Sequence, residues 1–262
     1  MCLLISVPLL IIGWLAFFLN DAEPGKPSFS LAGFNELLSP LRLTEIMKIA
    51  GRALTVCFFA TTVSFFISYL LMLKTSKAFQ FAFFVLITLP FLANESVRVF
   101  SWQYVLSENG LFNQILSSIS GRHVTLFDGS NNMNVYIVMI ITCIPFGVFI
   151  NSASLGTIPP IYWKASNDLN LSSISAFFKV ALPLSKVALV TSVIVIFFIS
   201  FSLSAEANFL GGDSKISIRN LVLSLMSASK FQAIFFLGFI IMSALTFFAL
   251  IYKLATRNRI SI

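Results

Sequence analysis

Charge is scarce in this chain. Only 10% of its 262 residues are Asp, Glu, Lys or Arg, against 58% hydrophobic, so there is too little polar surface to wrap a water-soluble core of that size, and lipid must cover much of it. Histidine is nearly absent: His123 stands alone, without metal-type partners beside it. Cys2, Cys57 and Cys143 lie far apart, in or beside apolar stretches, and read as small buried hydrophobes rather than a disulfide framework or metal set. The phosphate-cradling pattern G-x-x-x-x-G-K-S/T does not occur, which excludes the usual way of holding ATP. The apolar stretches also lack a His, Asp, Glu or Ser/Lys constellation, so we expect no catalytic residues, no cofactor and no metal.

What the chain has in abundance is apolar length, including 30 Phe. A bilayer core asks for roughly 20 mainly apolar residues per helix, and six windows meet that requirement, at about 1–19, 54–73, 79–97, 135–151, 187–204 and 231–254. The first has neither a basic leader nor a convincing small-x-small cleavage site before Asn20 and Asp21, so we read it as a span rather than a signal peptide. The expectation is an all-α integral membrane protein of about six transmembrane helices forming a single domain over 1–262.

Basic residues orient it. Alternation of the loops puts Lys74, Lys77, Lys164, Lys179, Lys186, Lys253, Arg257 and Arg259 on one side, in about half as many loop residues as the opposite set and shared only with Asp168. The opposite set, including Lys26, Arg42, Arg98 and Arg122, sits in longer loops with the remaining acids, where the charge rule is weak. The first side is therefore the cytoplasm, and both termini face it. The excess of seven positive charges reads as topology, since no basic face with interleaved aromatics points to nucleic acid.

Several local features go beyond spanning. Pro24, Gly25 and Pro27 break the first loop, and an amphipathic stretch at 41–52 suggests an interfacial helix leading into the second window. Thr61, Ser64 and Ser68 share one helical face, the signature of close helix packing in lipid, with a pathway lining as the rival reading. Pro90 predicts a break in the third window near Leu89. Beyond it, Glu95 and Arg98 read first as an i,i+3 pair at the membrane edge, and second as Glu95 facing a watery cavity. Glu206, at the end of the fifth window, reads first as an ordinary interfacial charge, and Trp102 and Tyr104 read equally as interfacial anchors.

The loop at 153–186 is too apolar for a floppy linker. Asn167, Asp168 and Asn170, then Ser172 and Ser173 ahead of Ile174, Phe177 and Phe178, predict a short helix, a turn with left-handed backbone at Asn170, and a serine-capped second helix containing Pro183. This pair presents Phe177 and Phe178 near water, as a surface for a partner.

Residues 164–183 resemble the EAA loop of ABC importer permeases, whose pattern is E-A-A, three residues, G, six residues, F, two residues, I or V, one residue, L-P. Ala165, Leu169, Phe177, Val180, Leu182 and Pro183 fall on matching positions without a gap, while Lys164, Ser166 and Asn170 replace the family's Glu, second Ala and Gly. Asn tolerates the positive φ that Gly supplies; Lys164 reverses a charge, which implies a partner surface unlike the common one. A second, broader resemblance, to spermidine/putrescine-type permeases, runs through Pro90, Phe91, Arg98, Trp102, Gly110, Leu111 and Asn113, and again through Asn208, Gly211, Gly212, Ile218 and Asn220. Permeases for iron, sulfate-like anions, phosphonates and opines share parts of these motifs.

These resemblances imply a MetI-like permease in the bacterial inner membrane, working by alternating access with a cytoplasmic ATP-binding subunit dimer, a second permease subunit and an extracytoplasmic substrate-binding protein. Lys164, Ala165, Ser166, Asp168, Asn170, Phe177 and Pro183 would then form the ATPase-coupling element, with Ala165 and Ser166 in the partner's groove. A polyamine cargo would be attracted to carboxylates and aromatic faces along the path, for which Glu95, Trp102, Tyr104 and Glu206 are the candidates. The rival class, a secondary transporter or channel, predicts intramembrane ionisable residues and inverted repeats, neither of which is clear in this sequence.

Overall fold

The computed structural model describes residues 2–21, 26–122, 125, 132–210 and 216–257; Met1, Pro24, Gly25, His123, Gly211, Gly212 and Arg259 lie outside them. In chain order the helices are α1 (Cys2–Phe18), α2 (Ala32–Leu37), α3 (Pro40–Lys74), α4 (Lys77–Thr88), α5 (Glu95–Val105), α6 (Leu111–Ser120), α7 (Asn132–Leu155), α8 (Pro160–Asp168), α9 (Ser173–Ala176), α10 (Leu182–Leu184), α11 (Lys186–Ser202), α12 (Ala205–Leu210), α13 (Ile218–Ser227) and α14 (Phe231–Arg257). No strand occurs among the described residues.

Each of the six apolar windows falls mainly on helix among the described residues. Pro40–Lys74, Asn132–Leu155 and Phe231–Leu250 are long and apolar enough to cross a bilayer, and two bent pairs, Lys77–Leu92 with Glu95–Val105 and Ser173–Leu184 with Lys186–Ser202, qualify if each is one broken span. Helix α1 has 17 residues, a turn short of the usual crossing length. One expectation needs correction. The stretch 41–52 is no separate interfacial helix, because α3 runs unbroken for 35 residues from Pro40; Pro at the first helical position starts a helix without losing a bond.

The contacts fall into two compact units. In the first (residues 1–50 and 216–262), α1 and α2 pack on α14 around Ala16, Leu37, Leu225, Ala233 and Phe236. Gln232 is its polar clasp: the buried amide donates to the carbonyls of Ala16 (3.0 Å) and Ser30 (2.8 Å) and accepts from the Gly33 N–H (3.1 Å). Gly33 is required there, since a Cβ would sit 2.7 Å from the Gln232 backbone. Satisfying all three groups matters because an unpaired backbone polar group away from water costs a hydrogen bond's worth of energy or more.

In the second unit (residues 51–215), α7 packs on α11 and against the small-residue face of α3. Thr61, Ser64 and Ser68 are buried, Ser68 donates to the Val148 carbonyl (3.2 Å), and a Cβ on Gly147 would collide with the Ser64 side chain. The close-packing reading of that stripe is the one the structure takes: small residues let helix backbones approach in lipid. Cys57 and Cys143 are buried, and the Cys57 thiol donates to the Val193 carbonyl at 3.2 Å.

Candidate functional site

The third window breaks where Pro90 dictates. Leu89–Leu92 tightens into a 3-10 turn, Ala93 is extended, and Asn94 caps a new helix by accepting from the Ser96 N–H (2.9 Å). The new leg, α5, leaves at 101°. A proline lacks the N–H that would continue the ladder, and the extended residue with an Asn cap restarts it in another direction.

That change of direction sets the chemistry. Glu95 occupies the first turn of α5 and is exposed, where a carboxylate favours the positive end of the helix dipole. It does not pair with Arg98, as the spacing suggested. Arg98 turns instead to Glu206 in the first turn of α12, with Nη2 3.6 Å from Oε1. Glu206 is therefore no interfacial charge: its side chain is 0% exposed, and that of Arg98 is 14% exposed. The guanidinium also lies 5.4 Å from the centre of the Phe91 ring, a favourable placement for a cation.

Beside this pair opens a cleft of about 700 Å³ lined by Pro90, Phe91, Arg98, Ser101, Trp102, Thr142 and Pro145, among others. Of the four pathway candidates, Trp102 lines it, Glu206 stands behind it through Arg98, and Glu95 and Tyr104 are not among its lining residues. Sequence reasoning did not single out Arg98 as a cleft residue, nor Thr142 and Pro145; the proline inside α7, opposite a broken span, was the available signal. The lower end of α5 is fixed by a tight turn: Gly110 has no room for a side chain against the Tyr104 and Val105 carbonyls, and buried Asn113 donates to the carbonyls of Ser107 (3.1 Å) and Glu108 (2.9 Å). The Gly110, Leu111, Asn113 run thus has a structural reason.

The loop at 153–186 folds as its sequence predicts. Helix α8 ends at Asp168, Asn170 turns the chain at φ +50°, and Ser172 accepts from the Ser175 N–H (3.2 Å) to start α9. One π-helical turn, Phe177–Ala181, precedes Pro183, since the ring displaces the carbonyl one turn back and the ladder widens to accommodate it. Lys164, Ala165, Asp168 and Asn170 are exposed. Two residues point inward instead. Ser166 is buried, its hydroxyl donating to the Trp163 carbonyl (2.9 Å), and Phe177 sits edge-on to Phe65, Phe66 and Tyr69 of α3 with centroids 5.3, 6.1 and 5.1 Å away. Phe178, by contrast, is exposed. The Tyr69 hydroxyl donates to the Ser173 carbonyl at 2.8 Å, so the second short helix is pinned to the cleft-forming unit.

Apolar helices of crossing length, one bent pair of them lining a cleft, together with a pinned helix pair, are the architecture of a multi-pass membrane protein. Comparison with known proteins sharpens this. Residues 60–260 match the family model of the binding-protein-dependent transport system inner membrane component. The spermidine/putrescine transport system permease protein PotB of Escherichia coli K12 is 22% identical over 81% of this chain and 82% of that protein. Its Haemophilus influenzae counterpart is 20% identical over 93% and 86%. Among solved structures, a bacterial ABC transporter that imports the acidic polysaccharide alginate superposes with a TM-score of 0.68, at 14% identity over 98% of this chain and 90% of that one. The same kind of transporter, in complex with a pentasaccharide-bound periplasmic protein, gives 0.62 at 13% identity, over 99% and 95%. The chain belongs to the binding-protein-dependent inner membrane component family: it is an ABC importer permease subunit, a multi-pass bacterial inner-membrane protein and not an enzyme.

Proposed function

We propose that this permease carries a polyamine of the spermidine/putrescine class inward by alternating access, as half of a pore made with a second permease subunit and driven by a cytoplasmic ATP-binding subunit dimer. An extracytoplasmic binding protein delivers the cargo, and both termini face the cytoplasm. The observation that carries the coupling half of this reading is the pinned loop: residues 164–183 expose Lys164, Ala165 and Asp168 for a partner, while Tyr69 and Phe177 tie the same loop to α3. Movement of a docked ATPase therefore reaches the spans through contacts that already exist. A ligand-driven cycle needs both the binding protein and ATP to favour the outward state.

For the cargo, the relatives of 82% and 86% coverage are polyamine permeases, and the cleft suits a chain of methylenes between ammonium groups: its walls are aromatic and aliphatic, with the Trp102 indole among them. Arg98 on the lining favours a second reading, an anionic cargo.

One experiment addresses both halves. The chain is expressed with its neighbouring genes, purified, and assayed for a co-purifying ATPase and for spermidine uptake in vesicles. We expect an ATPase that is lost when 164–183 is scrambled; a stable ATPase-free protein would sink the coupling assignment. Uptake of anions but not spermidine would decide for the second reading.

A further inference from the structure

The buried carboxylate of Glu206 has no role in spanning the membrane, and its cost is real. Neither carboxylate oxygen nor the Arg98 Nε has a hydrogen-bond partner; the ion pair at 3.6 Å, and for Arg98 the Phe91 ring, are what offset their burial. A buried charge persists only when paired, and a pair in a low-dielectric interior is weak evidence for stability. Among the described residues that line the cleft, Arg98 is the one charged side chain. Left alone, its guanidinium would make the cleft repel cations. Glu206, fully buried on α12 behind it, is placed to cancel that charge without itself entering the cleft.

We infer that Glu206 is a positioning and specificity-determining residue: by neutralising Arg98 from behind, it sets the sign of charge that the cleft admits, opening it to cations and neutral groups. The inference rests on the cleft being the cargo passage, but its test does not require the cargo to be known. Ser101 lines the cleft and is exposed, so the thiol introduced by Ser101→Cys reports local potential through its reaction rates with a cationic and an anionic methanethiosulfonate reagent of similar size. The assay uses the complete transporter in membranes, with Cys2 replaced by Ser and native Cys57 and Cys143 as the buried background.

In that background Glu206→Gln leaves Arg98 uncompensated, and the cation-to-anion rate ratio falls about tenfold, the size a unit charge exerts over roughly 10 Å in a partly wet site. Arg98→Met leaves the carboxylate, and the ratio rises by a similar factor. A purely structural pair predicts instead that both variants lose protein without moving the ratio in opposite directions. If either single variant fails to accumulate, the double variant Arg98→Met with Glu206→Gln decides: it removes both charges, and neutralisation predicts a ratio within about twofold of the starting protein. A rise of about tenfold in the double variant would mean that Glu206 never cancelled Arg98, and would overturn the inference; so would a thiol that neither reagent reaches. Spermidine uptake is measured in the same membranes. Its absence in the unsubstituted protein removes the polyamine reading, while the ratio stands or falls by itself.

Discussion

Gly147 shows how little room a residue in this fold has. Its Cα meets the Ser64 side chain so closely that a Cβ would collide with it, and Asn151 on the next turn donates to the same hydroxyl at 3.4 Å. Overpacking of this kind costs about 1–3 kcal/mol. Gly147→Ala should therefore lower the thermal midpoint of the detergent-solubilised protein by several degrees, and the added change Ser64→Gly should restore most of it; an unchanged midpoint would show that α3 and α7 do not approach this closely. Asn170 makes the complementary case, a residue chosen for backbone rather than space. At φ +50° it occupies a region that costs a side chain other than Asn, Asp or Gly about 1–2 kcal/mol. Asn170→Gly should leave uptake and ATPase activity close to normal, while Asn170→Val, with a branched Cβ, should cut uptake severalfold at equal protein levels. Equal uptake by both variants would remove the left-handed turn from the coupling scheme.

At the scale of elements, the pinning of the 173–184 helix to α3 is what would make the loop a lever under the proposed coupling. The Tyr69 hydroxyl and the Phe177 ring are its two fastenings; a buried hydrogen bond contributes about 1 kcal/mol and an aromatic edge contact about as much. Tyr69→Phe and Phe177→Ala should each leave the ATPase bound and hydrolysing but lower the solute moved per ATP, and the double variant should cost less than the sum, since both act on one attachment. Stoichiometry measured in proteoliposomes decides it: transport per ATP equal to the unsubstituted protein would place the lever elsewhere. Much of this architecture was readable beforehand because its causes are local. Pro90 breaks a helix wherever it sits, Asn170 and Ser172 carry their own turn and cap, and apolar windows mark spans by length. The remainder depended on partners distant in the chain. The charges of 41–52 suggested a helix lying at the interface, yet those residues continue into α3. Glu95 was the near partner for Arg98 by spacing on one helix, but the packing of α12 on α5 brings Glu206 to Arg98 instead. Phe177 looked like a docking residue because a single helix pattern cannot say that α3 will cover it.

For the molecule as a whole, the bilayer imposes a direction that the fold alone does not contain. Lys74, Lys77, Lys164, Lys179 and Lys186 are concentrated in fewer connecting residues with Asp168 as their one acid, whereas Lys26, Arg42 and Arg98 lie in connections that carry most of the carboxylates. Basic residues close to the ends of spans resist translocation, so on the proposed orientation the first group marks the cytoplasmic face. The assignment also has a mechanical requirement behind it: ATP is cytoplasmic, and an ATPase can reach only a loop on its own side. Exposed Lys164 on α8 and exposed Lys26 ahead of α2 supply the two markers. In intact cells a membrane-impermeant thiol reagent should label Lys26→Cys and spare Lys164→Cys; in inverted membrane vesicles the pattern should reverse. Labelling of Lys164→Cys from outside would turn the protein over, and with it would go every role given to residues 164–183, because no cytoplasmic motor could then hold that loop. If the orientation holds, the same vesicles offer a second reading: ATPase docked on α8 should shield Lys164→Cys from the reagent, and stripping the ATPase should expose it.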